Sequence, residues 1–404
     1  MVNQGRSDIL TTELACIRCG AVHTATGREL GCPACQGSVP ANFEVAGDRG
    51  AWALDERARG MWRYASRLPV AAGDAVSLGE GATPLLECPD LGVMAKCEFV
   101  NPTGSFKDRL AAAAISWAKA AGLPGVLAAS SGNAGAAVAA YAARAGLPCL
   151  ILTTRAFPGT MQRQMRSYGA MVVATPTAPD RWTLAREVTR RWGWLPVSNV
   201  TDPPVGSHPV GIEGYRTIAY EIAEACTPAA VVVPVGYGDS IAGIWRGFAD
   251  LLALGRLKAA PRMIAAESYG SLKAALDGGA EGPADTKGSG SIAYSAAVPR
   301  STYQALRAIR ASGGTAVPVT DAEAVQARRD LAQREGLLVE ISSALALAAA
   351  RKLPAGDGPV LCLLTSTGIK DVEVGEDTAE LPLCAPDLGS LAGLLKERYG
   401  FAAD

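Results

Sequence analysis

One lysine in this chain stands where an amine can do covalent chemistry. Lys107 lies in the string Asn101-Pro-Thr-Gly-Ser-Phe-Lys107-Asp-Arg109, where turn residues run straight into an Ala-rich stretch over 110–121. At the first turn of a helix, the macrodipole and loss of water both favour the neutral amine. A neutral amine is what a Schiff-base nucleophile requires. Taken alone, a lysine at a helix start is most simply a solvated charge. Two further loops bear on the choice. Ser130-Ser131-Gly132-Asn133-Ala134-Gly135 follows an apolar run and opens another Ala-rich stretch. Its small residues let backbone N–H groups approach a carboxylate or phosphate at a helix N-terminus. The plain alternative is a helix cap built by Ser131 or Asn133. Val235-Gly236-Tyr237-Gly238-Asp239-Ser240-Ile241 repeats the strand-to-helix setting with glycines and donors that suit a phosphate. It lacks the Gly-Lys-Ser/Thr of a nucleotide P-loop and the third glycine of a dinucleotide fingerprint.

A Schiff-base lysine, a carboxylate cradle and a monophosphate cradle are together the parts that pyridoxal 5'-phosphate (PLP) needs. A separate constellation occupies the first forty residues: Cys16-Ile-Arg-Cys19-Gly20 and Cys32-Pro-Ala-Cys35-Gln-Gly37. Two CxxC turns separated by residues 20–31 form a tetrahedral four-cysteine set for zinc, with no coordination position left for catalysis. The alternative is a redox pair or a ribbon with no functional role. His23 lies inside the ribbon, but four well-spaced cysteines leave it no ligand position. Cys88, Cys97, Cys149, Cys226, Cys362 and Cys384 read as small apolar residues, and Cys97 is the one to test for reactivity. His208, in Gly-Ser-His-Pro, has the pKa range of a proton shuttle, yet a lone loop histidine is more simply solvated.

Positioning these residues takes alternating strands and helices. Strands are predicted over 125–129, 149–153, 171–174, 230–235, 262–267 and 360–364. Helices are predicted over 133–145, 158–168, 241–254, 321–335 and 342–352. Such alternation means a parallel sheet covered on both faces, with ligands in the loops at the carboxyl ends of the strands. Residues 41–80 read as a linker and a helical segment with Trp52, Trp62 and Tyr64 as packing anchors, and 278–290 as a Gly-rich mobile surface loop.

The sequence resembles fold-type II PLP enzymes, in particular their threonine synthase-like branch. The resemblance runs through Gly79-Glu-Gly-Ala-Thr-Pro-Leu85, Lys96-Cys-Glu98, Asn101 to Arg109, Ser130 to Asn133, the Gly236 loop and Thr365-Ser-Thr-Gly-Ile-Lys-Asp371. It implies two open twisted α/β domains of the tryptophan synthase beta-like kind plus a small N-terminal zinc ribbon. The implied division is 1–42 for the ribbon, 43–125 and 215–404 for the large PLP-binding domain, and 126–214 for a small mobile domain. Lys107 would hold the cofactor covalently and act as general base at the substrate Cα. Asn133 would meet the cofactor's phenolic oxygen, and Ser130, Ser131, Gly132 and Asn133 the substrate carboxylate. Gly236, Tyr237, Gly238, Asp239 and Ser240 would hold the cofactor phosphate, and Thr365 would face the pyridine nitrogen. A neutral hydroxyl there suits elimination and replacement at Cβ or Cγ better than transamination. The implied reaction turns O-phosphohomoserine into threonine, or is a related replacement. The alternative is β-replacement or deamination of serine, phosphoserine or threonine. Ala134, Thr160, Tyr237, Ser240, Ile341 and Ser366 depart from the family pattern. They weaken the case for phosphorylated homoserine in particular. A homodimer is usual in the family.

Composition closes off other classes. Over 404 residues, 38 Lys and Arg against 39 Asp and Glu leave a net charge of −1, with no dense basic run to neutralise nucleic-acid phosphates. The apolar run at 134–143 ends at Arg144, short of the roughly 20 residues a bilayer needs. Residues 1–14 show no basic-then-apolar leader, and ten cysteines are too sparse for a disulfide scaffold, so a reducing cytoplasm is expected.

Overall fold

The structure, a computed structural model, describes residues 12–37, 39–47, 49–155, 159–356, 358–371 and 381–402. Residues 1–11, most of the segment read for a leader, and Pro158, the predicted start of one helix, lie outside the described residues.

The chain opens with β1 (Glu13–Cys16), β2 (Val22–Thr24) and β3 (Phe43–Val45), an antiparallel sheet of order β2-β1-β3. Leu14 and Phe43 are buried beneath it. A 3-10 stretch, Gly60–Arg67, then buries Trp62 and Tyr64, and Trp52 packs edge-on against Tyr220 with centroids 5.0 Å apart.

There follow β4 (Leu85–Cys88), β5 (Val93–Cys97), α1 (Lys107–Ala120), β6 (Val126–Ala129), α2 (Asn133–Ala145), β7 (Cys149–Thr154), α3 (Gly159–Ser167), β8 (Met171–Thr175) and α4 (Ala178–Trp192). Next come β9 (Leu195–Pro196), α5 (Pro209–Glu213), α6 (Arg216–Ala225), β10 (Ala230–Pro234), α7 (Asp239–Ala253), β11 (Arg262–Glu267) and α8 (Ser271–Asp277). The body ends with α9 (Tyr303–Ala311), β12 (Thr315–Pro318), α10 (Asp321–Glu335), α11 (Ile341–Ala350) and β13 (Val360–Leu364). Residues 372–404 form a separate unit whose described helix is α12 (Leu388–Tyr399), capped by Asp387 accepting from the Ser390 N–H at 2.8 Å. Among the described residues no helix is long and apolar enough to cross a membrane.

Two α/β sheets result: β12-β11-β10-β13-β5-β4 and β8-β7-β6-β9. All pairings are parallel except that of β4 with β5. That corrects the expectation of wholly parallel sheets. The two strands are joined by a tight link through Gly92, and a link that short permits only an antiparallel return. The adjacent strands β10, β13 and β5 release, at their carboxyl ends, the Gly236 loop, Thr365 and the Lys107 loop, and β6 releases the Ser130 loop. Helices α4, α6 and α9 lie where no element was predicted; their polar outer faces blur the apolar pattern. Segment 278–290 is free of helix and strand, as expected, but it is pinned to the body. The Ala284 N–H donates to Ser271 O at 3.2 Å and the Thr286 N–H to Pro299 O at 2.9 Å.

Alanine is the means of close packing under the site. α1 and α2 bury Ala111–Ala114 and Ala136–Ala140 respectively. Gly214 comes so near α1 that a Cβ there would lie 2.1 Å from Arg109 O. Arg109 itself is wholly buried. Its Nε and Nη2 donate to Glu98 at 2.8 and 2.7 Å, and Nη1 and Nη2 donate to Glu221 at 2.7 and 2.8 Å. Lys96 Nζ adds a bond of 2.6 Å to Glu221. Paired forks of this kind stabilise only when every charge is answered, and here they lock the first turn of α1.

Candidate active site

Lys107 is the first residue of α1, and the loop before it is stitched to the end of β13. The Phe106 N–H donates to Thr365 O at 2.9 Å, and Ser105 bridges Ser366. Asp108 accepts from the Thr103 N–H at 2.7 Å and from the Thr103 hydroxyl. Burial pushes Asp108 up to about 7 against those bonds. The Lys107 amine lies 4.6 Å from the Phe106 ring centroid and 5.8 Å from that of Tyr215. Among the described residues it has no hydrogen bond or ion pair. Burial lowers its pKa, with the negative charge of Asp239 acting the other way. The amine is held toward its neutral, nucleophilic form.

The Ser130 loop is a cradle of free amides. Ser130 Oγ accepts from the N–H groups of Gly132 and Gly135 at 3.2 and 3.1 Å. The N–H groups of Ser131, Asn133 and Ala134 keep no acceptor among the described residues. The capping alternative does not hold: the helix N-cap is Gly132 without a side-chain cap, and the Ser131 and Asn133 side chains bond elsewhere, to Thr153 and to Glu340. Asn133 is buried, and its amide donates to Glu340 Oε2 at 2.8 Å and accepts from Lys370 Nζ at 2.7 Å and Ser366 Oγ at 3.1 Å.

The Gly236 loop is a second cradle. Its carbonyls are turned onto hydroxyls: Ser301 donates to Gly236 O at 2.9 Å and Thr302 to Tyr237 O at 2.6 Å. The N–H groups of residues 236–240 have no acceptor among the described residues. Gly238 has φ +88°, and a Cβ there would lie 2.3 Å from the Ala305 Cβ. The Asp239 carboxylate faces away, accepting from the Ser207 N–H at 3.1 Å, the Ser207 hydroxyl at 2.6 Å and the Gln304 amide at 2.6 Å. Only its N–H serves the cradle. The turn at Tyr294–Ser295 touches both loops. A Cβ on Gly132 would meet the Tyr294 ring at 3.7 Å, and one on Gly236 would meet Ser295 O at 3.3 Å. The Thr365 hydroxyl, 2.7 Å from Ser343 Oγ, is neutral.

Residues 76–366 match the model of the family described as pyridoxal-phosphate dependent enzyme. The chain belongs to this family. Threonine synthase of Methanosarcina acetivorans is 32% identical to this PLP enzyme over 91% of the chain and 95% of that protein. Threonine synthase of Methanocaldococcus jannaschii is 33% identical over 85% and 89%, and that of Synechocystis sp. 35% over 76% and 82%. Among solved structures, maize serine racemase matches with a TM-score of 0.62 at 21% identity, covering 79% of this chain and 92% of that one. The processed form of threonine deaminase isoform 2 from Solanum lycopersicum matches with a TM-score of 0.61 at 23% identity, covering 72% and 85%. The fold is that of PLP fold-type II, as the sequence implied.

The residues of this PLP enzyme fit the cofactor. Five amides in a row without an acceptor among the described residues suit a dianionic phosphate, and the desolvated Lys107 amine feels the charge of Asp239 on the same loop. Other expectations change. His208 is not solvated: it is buried, its ring lies tilted against Trp117 with centroids 5.6 Å apart, and its Nε2 lies 3.0 Å from Glu29 Oε2. Cys97 is buried, and burial pushes its thiol up to about 12, so it is no reactive thiolate. In the ribbon, Cys16 Sγ lies 3.7 Å from Cys35 Sγ and Cys19 Sγ 3.8 Å from Cys32 Sγ. A tetrahedron with Zn–S bonds of about 2.3 Å has an edge of roughly 3.8 Å. His23 packs edge-on to Phe43 and is outside that group.

Several site residues escaped the sequence reading. Lys370 and Glu340 stood in strings already noticed, but nothing in those strings pointed them at Asn133. Tyr294 lies in a segment without motif, so no local signal was available.

Proposed function

We propose that this enzyme eliminates or replaces a substituent at Cβ or Cγ of an amino acid, in the manner of a threonine synthase acting on O-phosphohomoserine. The observation that carries the reading is the Lys107 amine, desolvated, with no ion pair among the described residues and within the field of Asp239 on the Gly236 loop, together with two loops whose N–H groups are free. The amides of 236–240 hold the cofactor phosphate, and Lys107 holds the cofactor covalently. Asn133, oriented by Lys370 and Glu340, meets its phenolic oxygen. Thr365 offers the pyridine nitrogen a neutral hydroxyl. When bound, the cofactor draws electrons from the substrate Cα and weakens its C–H bond. The N–H groups of Ser131, Asn133 and Ala134, with Ser130 and Gly132 shaping the turn, hold the α-carboxylate. Once the substrate's own amino group has displaced it, the freed Lys107 amine would accept the Cα proton and hold it beside the Phe106 and Tyr215 rings, where water is excluded. Segment 126–214, which carries the four-stranded sheet, is the body read as closing over the substrate. Cys16, Cys19, Cys32 and Cys35 hold a structural zinc. The family resemblance supports a homodimer, and the charge balance supports the absence of a nucleic-acid partner.

A second reading has its own support. Ala134 offers no hydroxyl beside the amide cradle for a substrate phosphate, which favours β-replacement or deamination of serine, phosphoserine or threonine. The test is product analysis of the PLP-loaded enzyme with O-phosphohomoserine, O-phosphoserine, serine and threonine, with borohydride trapping and peptide mapping in parallel. Threonine and phosphate from O-phosphohomoserine support the first reading. A 2-oxo acid and ammonia from the hydroxy amino acids alone support the second. An unmodified Lys107 in cofactor-saturated protein overturns both.

A further inference from the structure

Arg181 is a half-buried cation with no carboxylate partner among the described residues. It lies in the first turns of α4, just past the carboxyl end of β8. Its Nη1 donates to Ser131 Oγ at 3.2 Å and its Nε to Ala178 O at 3.2 Å. Ser131 Oγ is also 2.8 Å from Thr153 Oγ1, so the guanidinium is fixed against the residue that opens the carboxylate cradle. The neighbouring Asp180 does not answer its charge, because that carboxylate accepts from the Thr177 N–H and hydroxyl at 2.9 and 2.6 Å. Among the described residues no carboxylate oxygen lies within 4.0 Å of Arg181. Burial lowers its pKa, and the one ionisable group whose field reaches it is the phenol of Tyr237, on the phosphate-cradle loop.

Arg186, half-buried on the same helix, also lacks a carboxylate but donates to Val200 O at 2.9 Å and Thr183 Oγ1 at 3.2 Å, away from the Ser130 loop, whereas the more deeply buried arginines are paired. Arg49, Arg67, Arg109, Arg216 and Arg246 each sit on a carboxylate of Glu213, Asp250, Glu98 or Glu221. A half-buried guanidinium left without a counter-charge is costly unless a ligand supplies one. The α-carboxylate is already matched to the free amides and the N-terminus of α2. We propose that Arg181 is a specificity-determining residue that reads a second anionic group, a phosphate, sulfonate or side-chain carboxylate, on the amino-acid substrate. The proposal rests on the reading above that the Ser131 to Ala134 amides take the α-carboxylate. Guanidinium recognises all three anions through the same fork of donors, and only differences in shape separate them.

The test compares wild-type holoenzyme with Arg181→Met and Arg181→Lys. Binding of serine, O-phosphoserine, homoserine, O-phosphohomoserine, cysteate and aspartate is followed by the change in cofactor absorbance, with kcat and KM where turnover occurs. In Arg181→Met, apparent Kd and KM should rise about tenfold to a hundredfold for the anion-bearing members and less than threefold for serine and homoserine. Arg181→Lys should recover part of that loss. Which anion-bearing compound loses most identifies the group. Equal weakening of charged and uncharged members overturns the proposal, because the guanidinium would then serve the α-carboxylate or the fold alone. A wild-type enzyme that prefers no anionic member overturns it too. Failure of the underlying reading looks different: selective binding of anionic members, lost in Arg181→Met, but with no elimination or replacement product from any of them. That outcome supports the Arg181 assignment and removes the reaction.

Discussion

The Lys370 amine donates to Asn133 Oδ1 at 2.7 Å and helps fix which way the Asn133 amide faces. With Oδ1 also accepting from Ser366 Oγ at 3.1 Å, the NH2 group is turned to Glu340 Oε2 at 2.8 Å. Glu340 is in turn held by the Tyr294 hydroxyl at 2.7 Å. Burial lowers the pKa of Lys370, and the charges of Glu340 and Asp108 counter that effect. An amide has no preferred direction of its own, so a cation on one side and a carboxylate on the other supply it.

Lys370→Met should therefore leave the protein folded while misdirecting Asn133. The expected result is a tenfold to hundredfold fall in kcat with an altered cofactor absorbance maximum, from loss of a charged hydrogen bond of about 1.5–3 kcal/mol. Steady-state kinetics and an absorbance spectrum check it. Unchanged values of both would show that Lys370 does not orient the amide.

Gly238→Ala should weaken cofactor binding at least tenfold. The added methyl meets the Ala305 Cβ at 2.3 Å, and the position has φ +88°, so the loop must shift and its amides with it. Fluorescence titration of the apoenzyme with PLP measures the effect. An affinity equal to wild type would disprove this account of the loop.

Glu29 ties the ribbon segment to His208, and that link is sensitive to acid. Burial opposes ionisation of Glu29, but the hydrogen bond and charge of His208, with further bonds from the Thr26 N–H and hydroxyl, prevail and bring its carboxyl down to about 2 from the ordinary 4.5. A depressed acid stabilises above its unfolded pKa and loses that contribution as pH falls toward the folded value. The link is thus complete above about pH 4.5 and is lost from there toward 2, with at most about 3 kcal/mol at stake. Urea unfolding of wild type and Glu29→Gln should show a stability gap at pH 6 that narrows at pH 3. A gap of constant size would contradict it.

Zinc should be measurable in the purified chain, near one ion per molecule by elemental analysis. Cys16→Ser should lose it and lower Tm by several degrees, because a four-thiolate site contributes its binding energy to folding. Metal-free wild-type protein with the same Tm as a zinc-supplemented sample would refute a structural zinc.

Legibility followed range. The helix starting near Lys107, the two amide-bearing loops and the paired cysteines were readable because each depends on residues adjacent in the chain. The body strands at 262–267 and 360–364 came out at their observed bounds, since buried parallel strands are short unbroken apolar runs. The antiparallel return of β4 and the helices α4, α6 and α9 did not, because their faces are half polar and only packing separates them from loop. His208 shows the same limit. From its neighbours it read as a solvated loop residue; its burial and its carboxylate partner come from a segment 179 residues away.

From its own string of residues this chain determines a lysine at a helix start, two loops of free N–H groups, a four-cysteine set and its membership in a PLP-binding fold. These are local properties of helix starts, turn glycines and close spacings. Only the tertiary structure decided that Lys370 steers Asn133 across 237 positions and that Arg181 reaches Ser131 across 50. A charged side chain becomes part of a site when folding removes its water and chooses its partner, and neither event is written in the residues beside it.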